Sequence, residues 1–210
     1  MLSPFQEHVA RLFLGLPEAA SFALAGGAAL VFRSVVPRTT QDLDFFGPLR
    51  GEVTPVAERF KKRLQDDGLE FRVISASPSF VRLTVRNASG EEILVDIGQD
   101  YRLRAPERME IGLVLSSEEL AADKLLALFG RAEARDFVDV FYLARTFDIE
   151  SITRWAREKD PGFDPYVLAV AIGRLERLPP REFDVDAATY EELVAFFRRL
   201  RGSLLGEVIG

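Results

Sequence analysis

The chain contains no cysteine and only one histidine, His8. Without cysteine there can be no disulfide, no thiolate nucleophile and no thiolate metal site. With a single imidazole near the terminus, a His-rich zinc site, a Ser-His-Asp triad and a Cys-His pair cannot be assembled from this chain alone. Lysine is scarce: 23 of the 27 basic residues are arginine. A long apolar run is also missing. The longest, Phe22 to Phe32, has 11 residues and includes two glycines, whereas a membrane span needs about 20. Met1 to Gln6 carries no basic residue of the kind that opens a secretory leader. A cytoplasmic location and no membrane partner are therefore expected.

What is present is the composition of a globular protein. Of 210 residues, 48% are hydrophobic and 29% charged, enough to bury a core in one large domain or two small ones. The net charge of −6 argues against a chain that coats nucleic acid, while leaving a local arginine patch open. Chemistry must rest on carboxylates, Lys, Arg, hydroxyls and backbone. Such donors suit hard cations such as Mg²⁺.

The hydrophobic pattern changes character once. Residues 3–15 have helical spacing through Phe5, Val9, Leu12 and Phe13, and 22–25 read as a buried strand running into Gly26-Gly27 and a helix. Strands are expected near 42–46, 69–76, 79–87 and 91–97, with a helix over 53–67 and a hairpin turn at Asn87-Ala-Ser-Gly90. From Ser117 onward every segment reads as helix: 117–130, 133–146, 150–159, 164–178 and 187–201. The expectation is an α/β domain over 1–114 followed by an all-helical domain over 115–210. No linker separates them, so the halves are expected to pack with a ligand cleft between them.

Asp42-Leu43-Asp44 is the strongest chemical signal. On a strand, residues i and i+2 share a face, so both carboxylates point one way. They repel unless a cation lies between them, which makes the pair a platform for Mg²⁺; two solvated acids at a strand end is the plainer reading. Asp96 interrupts an apolar strand, Ile93-Leu-Val-Asp-Ile97. It is expected either as a third metal ligand or general base, or as a turn-bonded structural acid. Gly26-Gly27 could let the backbone approach a phosphate, with Arg38 and Thr40 nearby as further nucleotide contacts, or could be only a tight turn. No Gly-Lys-Ser/Thr follows, so it is not a Walker loop. Lys124 stands in a segment, Leu120 to Phe129, whose only other polar residue is Asp123. It is expected to seek a phosphate or carboxylate, or else to snorkel at the helix edge. Its removal is expected to cost activity but little stability. Asp136 and Asp139 share a helix face. Asp136 is the one expected to orient Lys124, with a local salt-bridge ladder as the alternative.

Taken in order, Gly26-Gly27-Ala-Ala-Leu30, Arg38-x-Thr-x-Asp42-Leu-Asp44-Phe, Asp123-Lys124-Leu and Arg135-Asp136-x-x-Asp139 resemble the AbiEii-type nucleotidyltransferase toxins of the DNA polymerase beta-like superfamily. The resemblance runs from about residue 20 to 146. It implies a mixed-sheet nucleotidyltransferase core followed by a helical half, Mg²⁺ on the Asp pair, a nucleoside triphosphate donor and a hydroxyl acceptor. In some relatives that acceptor is a tRNA end, and an antitoxin protein is an implied partner. The wider superfamily has Gly-Ser where this chain has Gly26-Gly27, so one serine contact to phosphate is missing. The rival readings are a small-molecule, antibiotic-type nucleotidyltransferase, which the acidic charge favours, and a non-catalytic nucleotide- or protein-binding module on the same scaffold.

Overall fold

In the computed structural model, the described residues are 1–49 and 52–209, with side chains described through residue 206. Ser3 starts the first helix, α1 (Pro4–Leu14), with a reciprocal capping box. Its hydroxyl accepts the Gln6 N–H at 3.1 Å, and the Gln6 side-chain oxygen accepts the Ser3 N–H at 2.8 Å. The chain continues through β1 (Ala23–Ala25), α2 (Gly26–Phe32), β2 (Asp42–Gly47), α3 (Val53–Asp66), β3 (Glu70–Ser77), β4 (Phe80–Arg86), β5 (Glu92–Gln99), β6 (Glu107–Met109) and β7 (Gly112–Val114). All seven strands join one mixed sheet in the order β3-β4-β5-β2-β1-β7-β6. The β2–β5 and β1–β7 pairs are parallel and the rest antiparallel.

Alternation along the central strand β2 decides what each face carries. Leu43 and Phe45 are fully buried, whereas Asp42, Asp44 and Phe46 on the other face are half-buried. Phe45 stacks on Phe13 of α1 at 4.1 Å between centroids, and Phe13 meets Phe60 of α3 edge-on at 5.1 Å. The two helices thus cover the face opposite the carboxylates. Such aromatic packing contributes about 0.5–1.5 kcal/mol per pair beyond area burial. Strands β6 and β7 were not expected. Each has three residues and little buried apolar surface, too short for a period-2 signal.

The chain falls into two compact units, Met1–Ser117 and Glu118–Gly210. The second is helical throughout its described residues: α4 (Ser117–Gly130, starting at the last residue of the first unit), α5 (Ala134–Leu143), α6 (Ile149–Lys159), α7 (Pro165–Ile172) and α8 (Ala187–Ile209). Asp148 and Asp164 cap α6 and α7 by accepting backbone N–H groups. The helix expected over 164–178 breaks into α7 and a 3-10 turn at Gly173–Arg177, while α8 runs past the expected end at 201. Phe137, Phe183 and Phe197 form the aromatic centre of this unit, with Phe137 and Phe197 at 5.0 Å. No helix among the described residues is long and apolar enough to cross a membrane.

Candidate active site

In the sheet unit the carboxylates converge by register. Parallel pairing of β2 with β5 sets Asp44 directly beside Asp96 and Asp42 beside Leu94. Antiparallel pairing of β4 with β5 sets Arg82 beside Asp96. One face of three adjacent strands therefore carries Asp42, Asp44, Asp96 and Arg82.

Next to this face the chain makes a turn that only glycine fits. Ala25 is paired with Asp44 across β1 and β2, and Gly26 follows with φ +58°. A Cβ on Gly26 would lie 1.8 Å from Oδ2 of Asp44 and 2.7 Å from its Cγ. The absence of a side chain at 26 is what gives the Asp44 carboxylate its place. A Cβ on Gly27 would lie 2.8 Å from Nη2 of Arg38 and 3.2 Å from Oγ1 of Thr40. The 38–40 segment is itself tied down: Arg38 donates to the Thr39 carbonyl at 2.8 Å, and Gln6 donates to the Thr40 carbonyl at 2.7 Å. Gly26, Gly27, Arg38, Thr40 and Asp44, far apart in the sequence signal, thus form one cluster beside Asp42.

Asp96 is placed beside Asp44 but does not stand there as an uncommitted ligand. Arg82 Nε donates to its Oδ1 at 2.7 Å and Nη2 to its Oδ2 at 2.5 Å, while Asp96 itself is 7% exposed. The bond to Asp96, reinforced by the charges of Asp96, Asp42 and Asp44, raises the Arg82 guanidinium above its ordinary pKa against the opposing effect of burial. Arg82 carries no motif of its own in the sequence. The hairpin could have found it, because Asn87 opposite Glu91 puts Arg82 opposite Asp96 by counting.

In the helical unit Lys124 is buried at 6% exposure, as its apolar surroundings demand. Its Nζ lies 2.9 Å from Oδ2 of Asp139, which is wholly buried. The expectation that Asp136 orients Lys124 is corrected. Asp136 is the third residue of α5; it accepts both guanidinium arms of Arg131, at 2.8 and 2.9 Å, and the Glu133 N–H at 3.1 Å. One turn further along α5, Asp139 is the residue that meets Lys124. Because Lys124 pairs with a buried acid, its removal is now expected to cost stability as well as activity. Lys159, unremarked in the sequence, binds Glu119 at 2.7 Å and also Asp123, tying α6 to α4.

The mixed sheet and the helical unit that follows it make a nucleotidyltransferase-like fold, with an Asp-x-Asp strand at the centre of the sheet beside a Gly-Gly turn. The chain belongs to the family described as nucleotidyl transferase AbiEii toxin of type IV toxin–antitoxin systems, whose model matches residues 11–205. Its activity is nucleotidyl transfer. Among solved structures, JHP933 from Helicobacter pylori is similar over 99% of this chain and 97% of its own, with 20% identity and a TM-score of 0.59. MenT4, a nucleotidyltransferase toxin from Mycobacterium tuberculosis, is similar over 93% of this chain and 88% of its own, also at 20% identity and 0.59. At these identities the likeness is one of fold. None of the curated proteins matches the chain.

Proposed function

We propose that the chain moves a nucleotide from a nucleoside triphosphate to a hydroxyl acceptor, with Mg²⁺ held by Asp42 and Asp44. The observation that carries this reading is the Gly26–Asp44 contact: a backbone turn without side chains packed against one of two carboxylates on one strand face. Oxygen donors of this kind suit Mg²⁺. When bound, the ion would supply charge neutralisation and orientation of the triphosphate.

The protein's own residues do the rest. Backbone at Gly26-Gly27, the Arg38 guanidinium and the Thr40 hydroxyl bind the donor's phosphates. Within the helical unit, Lys124, held by Asp139, is the cation we assign to the transfer step, and Asp136 braces the start of the helix that carries Asp139. The acceptor oxygen forms a bond to the α-phosphorus, the bond from that phosphorus to the bridging oxygen breaks, and its electron pair leaves with pyrophosphate. The acceptor's proton passes to solvent. Little covalent chemistry is asked of the protein, so positioning and electrostatics supply most of the rate.

The acceptor we infer is a tRNA hydroxyl, and the physiological role that of a toxin restrained by an antitoxin protein. The toxin role rests on the family and on MenT4, a nucleotidyltransferase toxin; the acceptor is what the resemblance of the sequence motifs implies. The two-unit organisation, a catalytic sheet domain and a helical domain, acting in the cytoplasm, belongs to the same reading. Incubation with each of the four α-labelled triphosphates, Mg²⁺ and total RNA tests it. Label is expected on RNA. Label transferred only to small molecules would replace the acceptor by an antibiotic-type substrate, and triphosphate binding without transfer would leave a binding module.

A further inference from the structure

Arg82 is a cation built into the carboxylate face. It spends Nε and Nη2 on a buried acid, Asp96. A guanidinium has five N–H donors, and among the described residues no acceptor meets Nη1. The Arg82 side chain is 42% exposed, against 10% for Asp96, so the remaining donors reach solvent. Its Cζ lies 5.5 Å from the Phe80 ring centroid, which with the two-point grip of Asp96 fixes the plane of the group. An arginine so held loses little further freedom on binding an anion. Its register places it one strand beyond Asp96, which is itself beside Asp44. A fixed cation with unspent donors, next to the carboxylates that would hold the metal, is the complement of a polyphosphate chain.

We propose that Arg82 is a phosphate-binding residue of the transfer site, receiving the triphosphate chain of the donor nucleotide, and that Asp96 is its positioning residue rather than a metal ligand. This rests on the reading of Asp42 and Asp44 as the metal site. Arg82 gives and takes no proton; it binds the charge that leaves as pyrophosphate. The competing account is that Asp96 is the ligand of a second cation, for which the guanidinium only substitutes.

The test uses the whole chain and inorganic tripolyphosphate without metal, followed by calorimetry, together with a count of bound Mn²⁺ by electron paramagnetic resonance. Arg82→Gln is expected to weaken tripolyphosphate binding by about tenfold or more and to leave Mn²⁺ binding at one ion per chain. Arg82→Lys is expected to recover part of the loss. Because Arg82→Gln leaves Asp96 buried without its partner, Arg82→Gln/Asp96→Asn serves if the single variant does not fold. Unchanged tripolyphosphate binding in a folded variant would overturn the proposal. So would a second Mn²⁺ gained by Arg82→Gln with tripolyphosphate binding intact. Asp44→Asn separates the two readings: it should abolish Mn²⁺ binding and keep metal-free tripolyphosphate binding. Retained Mn²⁺ in that variant would remove the metal reading, while the Arg82 arm would still stand or fall on tripolyphosphate.

Discussion

Replacing Gly26 by alanine is a one-methyl perturbation of the site. Gly26 sits at φ +58°, where an L side chain costs about 1–2 kcal/mol. The new Cβ would also stand 1.8 Å from Asp44 Oδ2, against an ordinary contact of roughly 3.5 Å. The carboxylate must therefore withdraw by well over an ångström. The strand cannot take up the shift, because β2 is paired on both sides, with β1 and β5, so the side chain itself must rotate away. A misplacement of about 1 Å at a reacting centre can cost on the order of 100-fold in rate. Gly26→Ala should thus lower the melting temperature by about 2–8 °C, weaken Mn²⁺ binding and reduce transfer by about 100-fold. Gly27→Ala separates the two sites of contact: it lacks a positive φ, and its Cβ would meet the tip of Arg38 at 2.8 Å rather than the Asp44 carboxylate, so it should leave Mn²⁺ binding intact. Calorimetry and Mn²⁺ titration of both variants check the argument. A Gly26→Ala protein that binds Mn²⁺ and transfers nucleotide like the wild type would refute it.

Lys124→Ala should lower turnover by orders of magnitude and also cost about 3–5 kcal/mol by leaving Asp139 buried without this charge; Lys124→Ala/Asp139→Leu should regain stability in urea unfolding without regaining activity. Phe13→Ala removes the ring that stacks on Phe45 and meets Phe60, and should cost about 3–5 kcal/mol by the same assay. The Asp148 and Asp186 carboxyls are held below their ordinary range, first by the backbone N–H bonds of Ser151 and Thr189. A depressed folded value means that the unfolded chain takes up protons first as pH falls. Their contribution is therefore complete above about pH 4 and lost below it, and Asp148→Asn/Asp186→Asn should flatten the fall of melting temperature with acid in that window.

The sequence spoke most clearly where one period ran for several residues. The alternation Asp42-Leu43-Asp44-Phe45 fixes which side chains share a face, and the apolar stripe of α1 marks the helix that packs behind them. The hairpin at Asn87–Gly90 was legible from its turn chemistry, with Gly90 at φ +85°. The partners of charged groups were harder. That Asp139 rather than Asp136 meets Lys124 depends on a single helical turn, and both residues satisfy the same i,i+3 pattern. Local bonding decides between them: Arg131 and the Glu133 N–H claim the acid at the start of α5. Lys159 was invisible because its acids lie 36 and 40 residues away. Strands β6 and β7 pair only through three residues each, below the length at which alternation is informative.

The most direct test of the account is a transfer assay on Asp42→Asn/Asp44→Asn. The exchange keeps the shape of both side chains and removes the charge that a metal needs. Wild-type protein should move α-labelled nucleotide to an RNA acceptor in Mg²⁺ and lose that activity with chelator. It should also gain stability from Mg²⁺ with a non-hydrolysable triphosphate, by about 2.7 kcal/mol at 100 times the dissociation constant. The double variant should keep its fold, lose the metal-dependent stabilisation and show no transfer above background. Undiminished transfer by a folded double variant would contradict the assignment of Asp42 and Asp44 as the centre of the site.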